Sequence, residues 1–221
     1  MFIRYRLSLL PAALLLLQGY LFAGSETENY KVNIVEGVPY VDVDVNGENV
    51  RIQRIQDTSH KLKNSYTRTS RPTPPFFIQP FQPVKGVKTV GEMDVIAFLR
   101  DKVSENEGML IDARMPKWYR KGTIPGALNV PFSIFAGGDD NPYVDQIFTI
   151  FGAELDEKGW HFDNAQTLLV FDNGPWCQQG VTAIKHLIKL GYPKEKILYY
   201  RGGMQYWQVL GLTVRKPKAE G

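Results

Sequence analysis

The 221-residue chain has one cysteine, Cys177, and only three histidines. A single thiol can neither close an internal disulfide nor build a Cys-rich zinc or iron–sulfur site. His60, His161 and His186 are scattered without ligand spacing, so neither a metal nor an organic cofactor is expected. An excess of charge is also lacking: 26 Lys and Arg stand against 23 Asp and Glu. A near-neutral chain gives no electrostatic ground for nucleic acid as a partner. With 20 glycines and 14 prolines it is too poor in both for a fibrous protein. What is present, 43% hydrophobic and 22% charged residues, is the composition of a globular chain with a real core.

The first segment reads as an address. Arg4 and Arg6 precede an apolar run from Leu7 to Leu17, and the small residues Ala23 and Gly24 follow. This is the pattern of a secretory signal over residues 1–23, which implies an exported, periplasmic protein. The competing expectation is a membrane anchor formed by residues 7–23 if the signal stays uncleaved. No second apolar run reaches spanning length.

From Tyr30 to Asp57 the chain alternates like a strand pair. Val41, Val43 and Val45 lie on one face, Asn46-Gly47 supplies a turn, and Val50 and Ile52 follow. A small β-hairpin module is expected over residues 24–63. Residues 64–86 carry Pro72, Pro74, Pro75, Pro80 and Pro83 interleaved with Phe76, Phe77 and Phe81. Proline excludes a regular helix there, and the aromatics predict an extended segment packed on the next domain.

Beyond Thr89 strands alternate with helices. Thr89-Val90-Gly91-Glu92 reads as a capping box opening a helix through Leu99. Short strands are expected at Met109–Asp112, Leu128–Val130, Thr167–Phe171 and Ile197–Tyr200, and further helices at Val144–Phe151, Val181–Leu190 and Met204–Leu210. That order implies an α/β fold, a parallel sheet with helices on both faces.

Cys177 falls between the strand Thr167–Phe171 and the helix that follows. Ligands collect beyond the carboxyl ends of parallel strands. A helix amino terminus there favours negative charge, so a thiol would ionise more readily. Gly180 lets the loop curl so that several N–H groups could meet on one sulfur. The plainer reading is a small buried hydrophobe, which free cysteine often is.

Four segments in order then resemble a rhodanese-like domain over residues 87–215. They are Leu110-Ile111-Asp112-Ala113-Arg114, Gly122-Thr123-Ile124-Pro125-Gly126-Ala127-Leu128-Asn129-Val130-Pro131, Cys177-Gln178-Gln179-Gly180-Val181-Thr182, and Arg201-Gly202-Gly203-Met204-Gln205-Tyr206-Trp207 with Gly211-Leu212-Thr213-Val214. The resemblance implies a rhodanese-like parallel sheet and a sulfurtransferase of the thiosulfate type. Cys177 would be the catalytic residue, carrying sulfur as a persulfide between a small sulfur donor and a thiol or cyanide acceptor. Arg114, Gln178, Gln179, Gly180, Val181 and Thr182 would bind the substrate. For Arg114 the alternative is an ion pair with Asp112.

Gln178 and Gln179 stand where thiosulfate-using relatives tend to carry cations, which weakens the expected grip on a dianion. No arginine closes the loop after Cys177, which argues against a phosphatase. The rival reading is a weakly active or inactive binding module. Its N-terminal hairpin and proline-rich stretch would dock an exported protein partner in a redox or sulfur pathway. Residues 216–221 read as a tail.

Overall fold

The structure, a computed structural model, describes residues 29–217. The signal or anchor expected at residues 1–23 lies outside the described residues, as does the end of the tail. Strands β1 (Tyr40–Val45) and β2 (Glu48–Gln53) pair antiparallel through Asn46 and Gly47. Both turn residues have positive φ, 54° and 80°, the conformation a tight two-residue turn demands. Val41, Val43, Val45 and Ile52 share one apolar cluster with Leu99, Leu110 and Trp207. The hairpin therefore covers one face of the main sheet and shares its core.

The main sheet follows. Strand β3 (Lys88–Val90) leads into α1 (Glu92–Phe98), which widens into a π-helical turn at Leu99–Val103. Then come β4 (Gly108–Asp112), the short α2 (Pro116–Tyr119), β5 (Ala127–Asn129) and α3 (Pro142–Ile150). A small antiparallel pair, β6 (Glu154–Asp156) and β7 (Gly159–His161), lies at the side. The chain continues through β8 (Thr167–Phe171), α4 (Gln179–Lys189), β9 (Ile197–Tyr200) and α5 (Gly203–Val209). The strand order is β3-β9-β8-β4-β5, and every pairing in this sheet is parallel.

Central β8 shows why its sequence is uninterruptedly apolar. Leu168 and Val170 enter the cluster under α3 and α4, whereas Leu169 and Phe171 enter the cluster under α5 and the hairpin. A strand buried on both faces has no polar side to show. Each such side chain withdrawn from water contributes about 1.5–3 kcal/mol. The parallel sheet with helices on both faces matches the sequence reading.

The start of α1 differs from that reading. Gly91 is the N-cap, and its N–H donates to Asp94 Oδ2 at 2.9 Å. Thr89 instead lies in β3, and its hydroxyl donates to the Phe81 carbonyl at 2.5 Å. The edge strand β3, paired only with β9, took the residues that a capping box would have used.

Candidate functional site: the loop between β8 and α4

Residues 172–178 join the end of β8 to the start of α4, at the carboxyl edge of the sheet. Asp172 comes first and is fully buried. Its Oδ1 accepts the Gly174 N–H at 3.0 Å, and its Oδ2 accepts the Gly180 N–H at 2.7 Å. The neighbouring backbone is clamped by α5: the N–H of Met204 donates to the Asp172 carbonyl and that of Gln205 to the Asn173 carbonyl, both at 3.0 Å. Gly203, at φ 53°, makes this approach possible, because a Cβ there would collide with the Asp172 carbonyl oxygen.

A cradle of backbone amides therefore exists, but a carboxylate occupies it. Gly180 N–H serves Asp172 and not the sulfur, which corrects the role expected for that residue. Burial pushes the Asp172 carboxyl up to about 7, against the pull of the Gly180 and Gly174 N–H groups and the Cys177 thiol.

Cys177 lies beside this carboxylate, 4% exposed. Asn173 Nδ2 donates to Sγ at 3.5 Å, and Sγ stands 3.7 Å from Gln179 Oε1. The backbone N–H groups of Asn173 and Gln179 also approach it. Burial first, and the Asp172 charge second, push the thiol up to about 12. The ionised sulfur expected from the helix terminus is thus corrected: desolvation and a buried like charge outweigh the nearby amides, and Cys177 is neutral at rest.

The other expected substrate contacts separate. Gln179 reaches the sulfur through its side chain. Gln178 is solvent-exposed, Val181 is buried in the core under α3 and α4, and Thr182 N–H donates to the Gln178 carbonyl at 2.9 Å. Arg114 is corrected as well. Its guanidinium is 1% exposed and grips Asp112 through Nε at 2.8 Å and Nη2 at 2.6 Å, with Nη2 also donating to the Gly122 carbonyl at 2.8 Å. Thr123 Oγ1 donates to Asp112 Oδ2 at 2.7 Å and completes the cluster. These donors are committed to the fold.

Arg114 still communicates with the sulfur. Its Nη1 donates to the Tyr66 hydroxyl at 3.0 Å, and that hydroxyl donates to Asn173 Oδ1 at 2.9 Å. The chain of donors turns the Asn173 amide so that its NH₂ faces Sγ. Tyr66 comes from the proline-rich segment, 107 residues before Asn173.

That segment, residues 64–83, straps the loop. Gln205 Nε2 donates to the Tyr66 carbonyl at 2.9 Å while Gln205 Oε1 accepts from Trp176 Nε1 at 2.6 Å. Phe76 meets the Trp176 ring edge-on, centroids 5.5 Å apart. Gln79 N–H donates to the Pro175 carbonyl at 2.7 Å, and Arg201 Nη2 donates to the Gln79 carbonyl at 2.9 Å. Asp172, Tyr66 and Asn173 escaped the sequence reading. For Asp172 a signal was available: a lone carboxylate directly after a wholly apolar strand, with glycines two and eight residues on. For Tyr66 no local signal exists.

Residues 96–210, over half of the chain, match the family described as the rhodanese-like domain. No curated protein matches the sequence. Among solved structures, the human single-domain sulfurtransferase is 24% identical, with a TM-score of 0.39 over 56% of this chain and 96% of that one. A protein from Rhodopseudomonas palustris described as a possible tyrosine phosphatase is 20% identical, with a TM-score of 0.43 over 58% of this chain and 85% of that one. The thiosulfate sulfurtransferase from Pseudomonas aeruginosa is 18% identical, with a TM-score of 0.41 over 60% of this chain and 21% of that one. On the family match, the chain belongs to the rhodanese-like domain family.

Proposed function

We propose that this chain moves sulfane sulfur through a persulfide on Cys177, with Asp172 as the base that receives the thiol proton. The observation that carries the reading is the Asn173 amide donating to Sγ at 3.5 Å in the loop at the carboxyl edge of the sheet, with Asp172 near enough for carboxylate and thiol to act on each other. In the first half-reaction the Cys177 proton passes to Asp172. The thiolate forms a bond to the outer sulfur of the donor. The donor's own sulfur–sulfur bond breaks, and its electron pair leaves with sulfite or with a thiolate. In the second half-reaction cyanide or a thiolate takes the outer sulfur, returning Cys177 as thiolate, which recovers its proton from Asp172.

A resting thiol this high makes the chain a slow enzyme toward free thiosulfate, because the attacking species is scarce. The test is thiocyanate formation from thiosulfate and cyanide by the full chain, with Cys177→Ser beside it. Slow turnover that the substitution abolishes supports the reading; turnover that survives it overturns it.

A second reading, a rhodanese-fold binding module with little or no catalysis, is favoured by one observation: Sγ is nearly sealed beneath the strap. It predicts no thiocyanate from the unaltered chain. Export to the periplasm, directed by residues 1–23, belongs to the proposal. Cell fractionation tests it, and recovery of the chain in the cytoplasm contradicts it. Docking of an exported partner on the N-terminal hairpin belongs with the second reading, and capture by an immobilised 29–217 fragment from a periplasmic extract would test it.

A further inference from the structure

The site has an unusual charge pattern. Its own loop contributes a buried carboxylate, Asp172, and two neutral glutamines, Gln178 and Gln179. Arg114, the cation expected from the sequence, is spent on Asp112. The positive charge that reaches the sulfur comes from elsewhere, from the strap.

Arg71 lies flat on the indole of Trp176, its guanidinium carbon 3.6 Å from the ring centroid. Trp176 is the residue directly before Cys177. The guanidinium is near enough to the Cys177 sulfur and the Tyr66 hydroxyl for their charges to be felt, and Arg68 is near enough to oppose it. Nη2 donates to the Ser65 carbonyl at 3.1 Å, and Arg68 Nε donates to the Ser70 carbonyl at 2.8 Å. Among the described residues neither arginine is in an ion pair. Arg71 Nε is buried and has no hydrogen-bond partner there. Leaving such a charged donor unused in a folded protein is costly, so an acceptor belongs in its neighbourhood. A cation without an ion-pair partner, stacked on the residue before a nucleophile, is an anion-recognition pattern.

We propose that Arg71 is the specificity residue of the Cys177 site, holding the charged end of an anionic sulfur donor of the thiosulfate or thiosulfonate class. The assignment rests on the sulfur-transfer reading of Cys177 and adds to it an anion-recognising residue that lies outside the matched domain, residues 96–210. The strap positions the cation because it is fixed on both sides. Tyr66 anchors it before Arg71, and Phe76 and Gln79 anchor it after. The anion's outer sulfur would be directed at Sγ and its oxygens taken by Arg71. A domain cut at residue 87 would keep Cys177 and lose this recognition.

The test uses the single cysteine as its own reporter. Iodoacetate and iodoacetamide alkylate the same sulfur, each forming a carbon–sulfur bond and releasing iodide, and they differ in charge. The rate ratio of iodoacetate to iodoacetamide on the full chain is measured by intact mass, for the unaltered protein, Arg71→Gln and Arg71→Lys. The ratio is expected to fall by about three- to tenfold in Arg71→Gln and to recover in part in Arg71→Lys, because the effect is one of charge near a partly desolvated site.

A ratio that Arg71→Gln leaves unchanged overturns the proposal while the reactivity of Cys177 stands. Failure of both reagents on the unaltered chain overturns sulfur transfer at Cys177, and this proposal with it. If Arg71→Gln does not fold, salt supplies the answer on the unaltered chain. Raising sodium chloride to about 0.5 M should slow iodoacetate and leave iodoacetamide unaffected, and equal slowing or none overturns the proposal.

Discussion

The backbone N–H of Gly180 points at Asp172 Oδ2, 2.7 Å away, and Cys177 Sγ lies beside that carboxylate. The anion that the helix terminus attracts is already present in the protein. Burial and that neighbouring charge hold the thiol neutral; in the proposed sulfur transfer Asp172 accepts its proton and the strap supplies the cation.

Removing the carboxyl charge should therefore activate the sulfur. In Asp172→Asn the like charge beside Cys177 is gone, and the thiol should ionise about one to three pH units lower. The pH dependence of iodoacetamide alkylation reads this directly. An unchanged profile would mean that Asp172 does not bear on the sulfur.

The same carboxyl should leave a mark on stability. In the folded chain Asp172 holds its proton until about pH 7, whereas the ordinary value is 3.8. Between those values the folded state binds more protons than the unfolded one, so stability falls as pH rises. The stabilising contribution is complete below about pH 4 and is lost as pH rises through about 7. Urea midpoints at pH 5 and pH 8 should differ less in Asp172→Asn than in the unaltered chain. Asp172→Asn should also be destabilised at pH 5, since its amide can accept only one of the two N–H groups.

Tyr66→Phe should weaken the fold and loosen Asn173. The lost hydroxyl leaves Arg114 Nη1 and Asn173 Oδ1 without their partner in a buried place. Unsatisfied buried groups cost about 1–3 kcal/mol each. With two such groups, urea denaturation should show a loss of about 2–6 kcal/mol, and a loss well below about 1 kcal/mol would count against the donor chain.

Arg114→Lys should act on stability and not on substrate affinity. A lysine cannot reproduce the paired grip on Asp112 or the bond to Gly122, and breaking a buried ion pair costs about 3–5 kcal/mol. Denaturation together with the Michaelis constant for thiosulfate separates the two roles. A raised constant in a chain of normal stability would return Arg114 to the substrate.

Much of the fold was legible because burial dictates sequence. Strands β8 and β9 sit inside the sheet and are apolar along their length, so their boundaries read directly from Thr167–Phe171 and Ile197–Tyr200. Asn46-Gly47 fixed the hairpin because few residue pairs take positive φ twice in succession. Strand β3 was not legible: three residues at a sheet edge, Lys88, Thr89 and Val90, carry no period. The position of Cys177 in a loop at the sheet's carboxyl edge was readable, but its ionisation was not, because burial and Asp172 decide it. Tyr66 and Arg71 reach the site from a segment whose local pattern says only that it is neither helix nor strand. Their roles exist through contacts about a hundred residues apart in sequence, as between Tyr66 and Asn173.

The account stands or falls on whether Cys177 takes up sulfur. The purified chain incubated with thiosulfate, or with a low-molecular-weight persulfide, should gain about 32 Da, one sulfur atom, on the peptide containing Cys177. Cyanide should remove that mass and release thiocyanate. A Cys177 peptide that keeps its mass with every donor, in a chain whose thiol iodoacetamide readily alkylates, would contradict sulfur transfer and leave the binding module in its place.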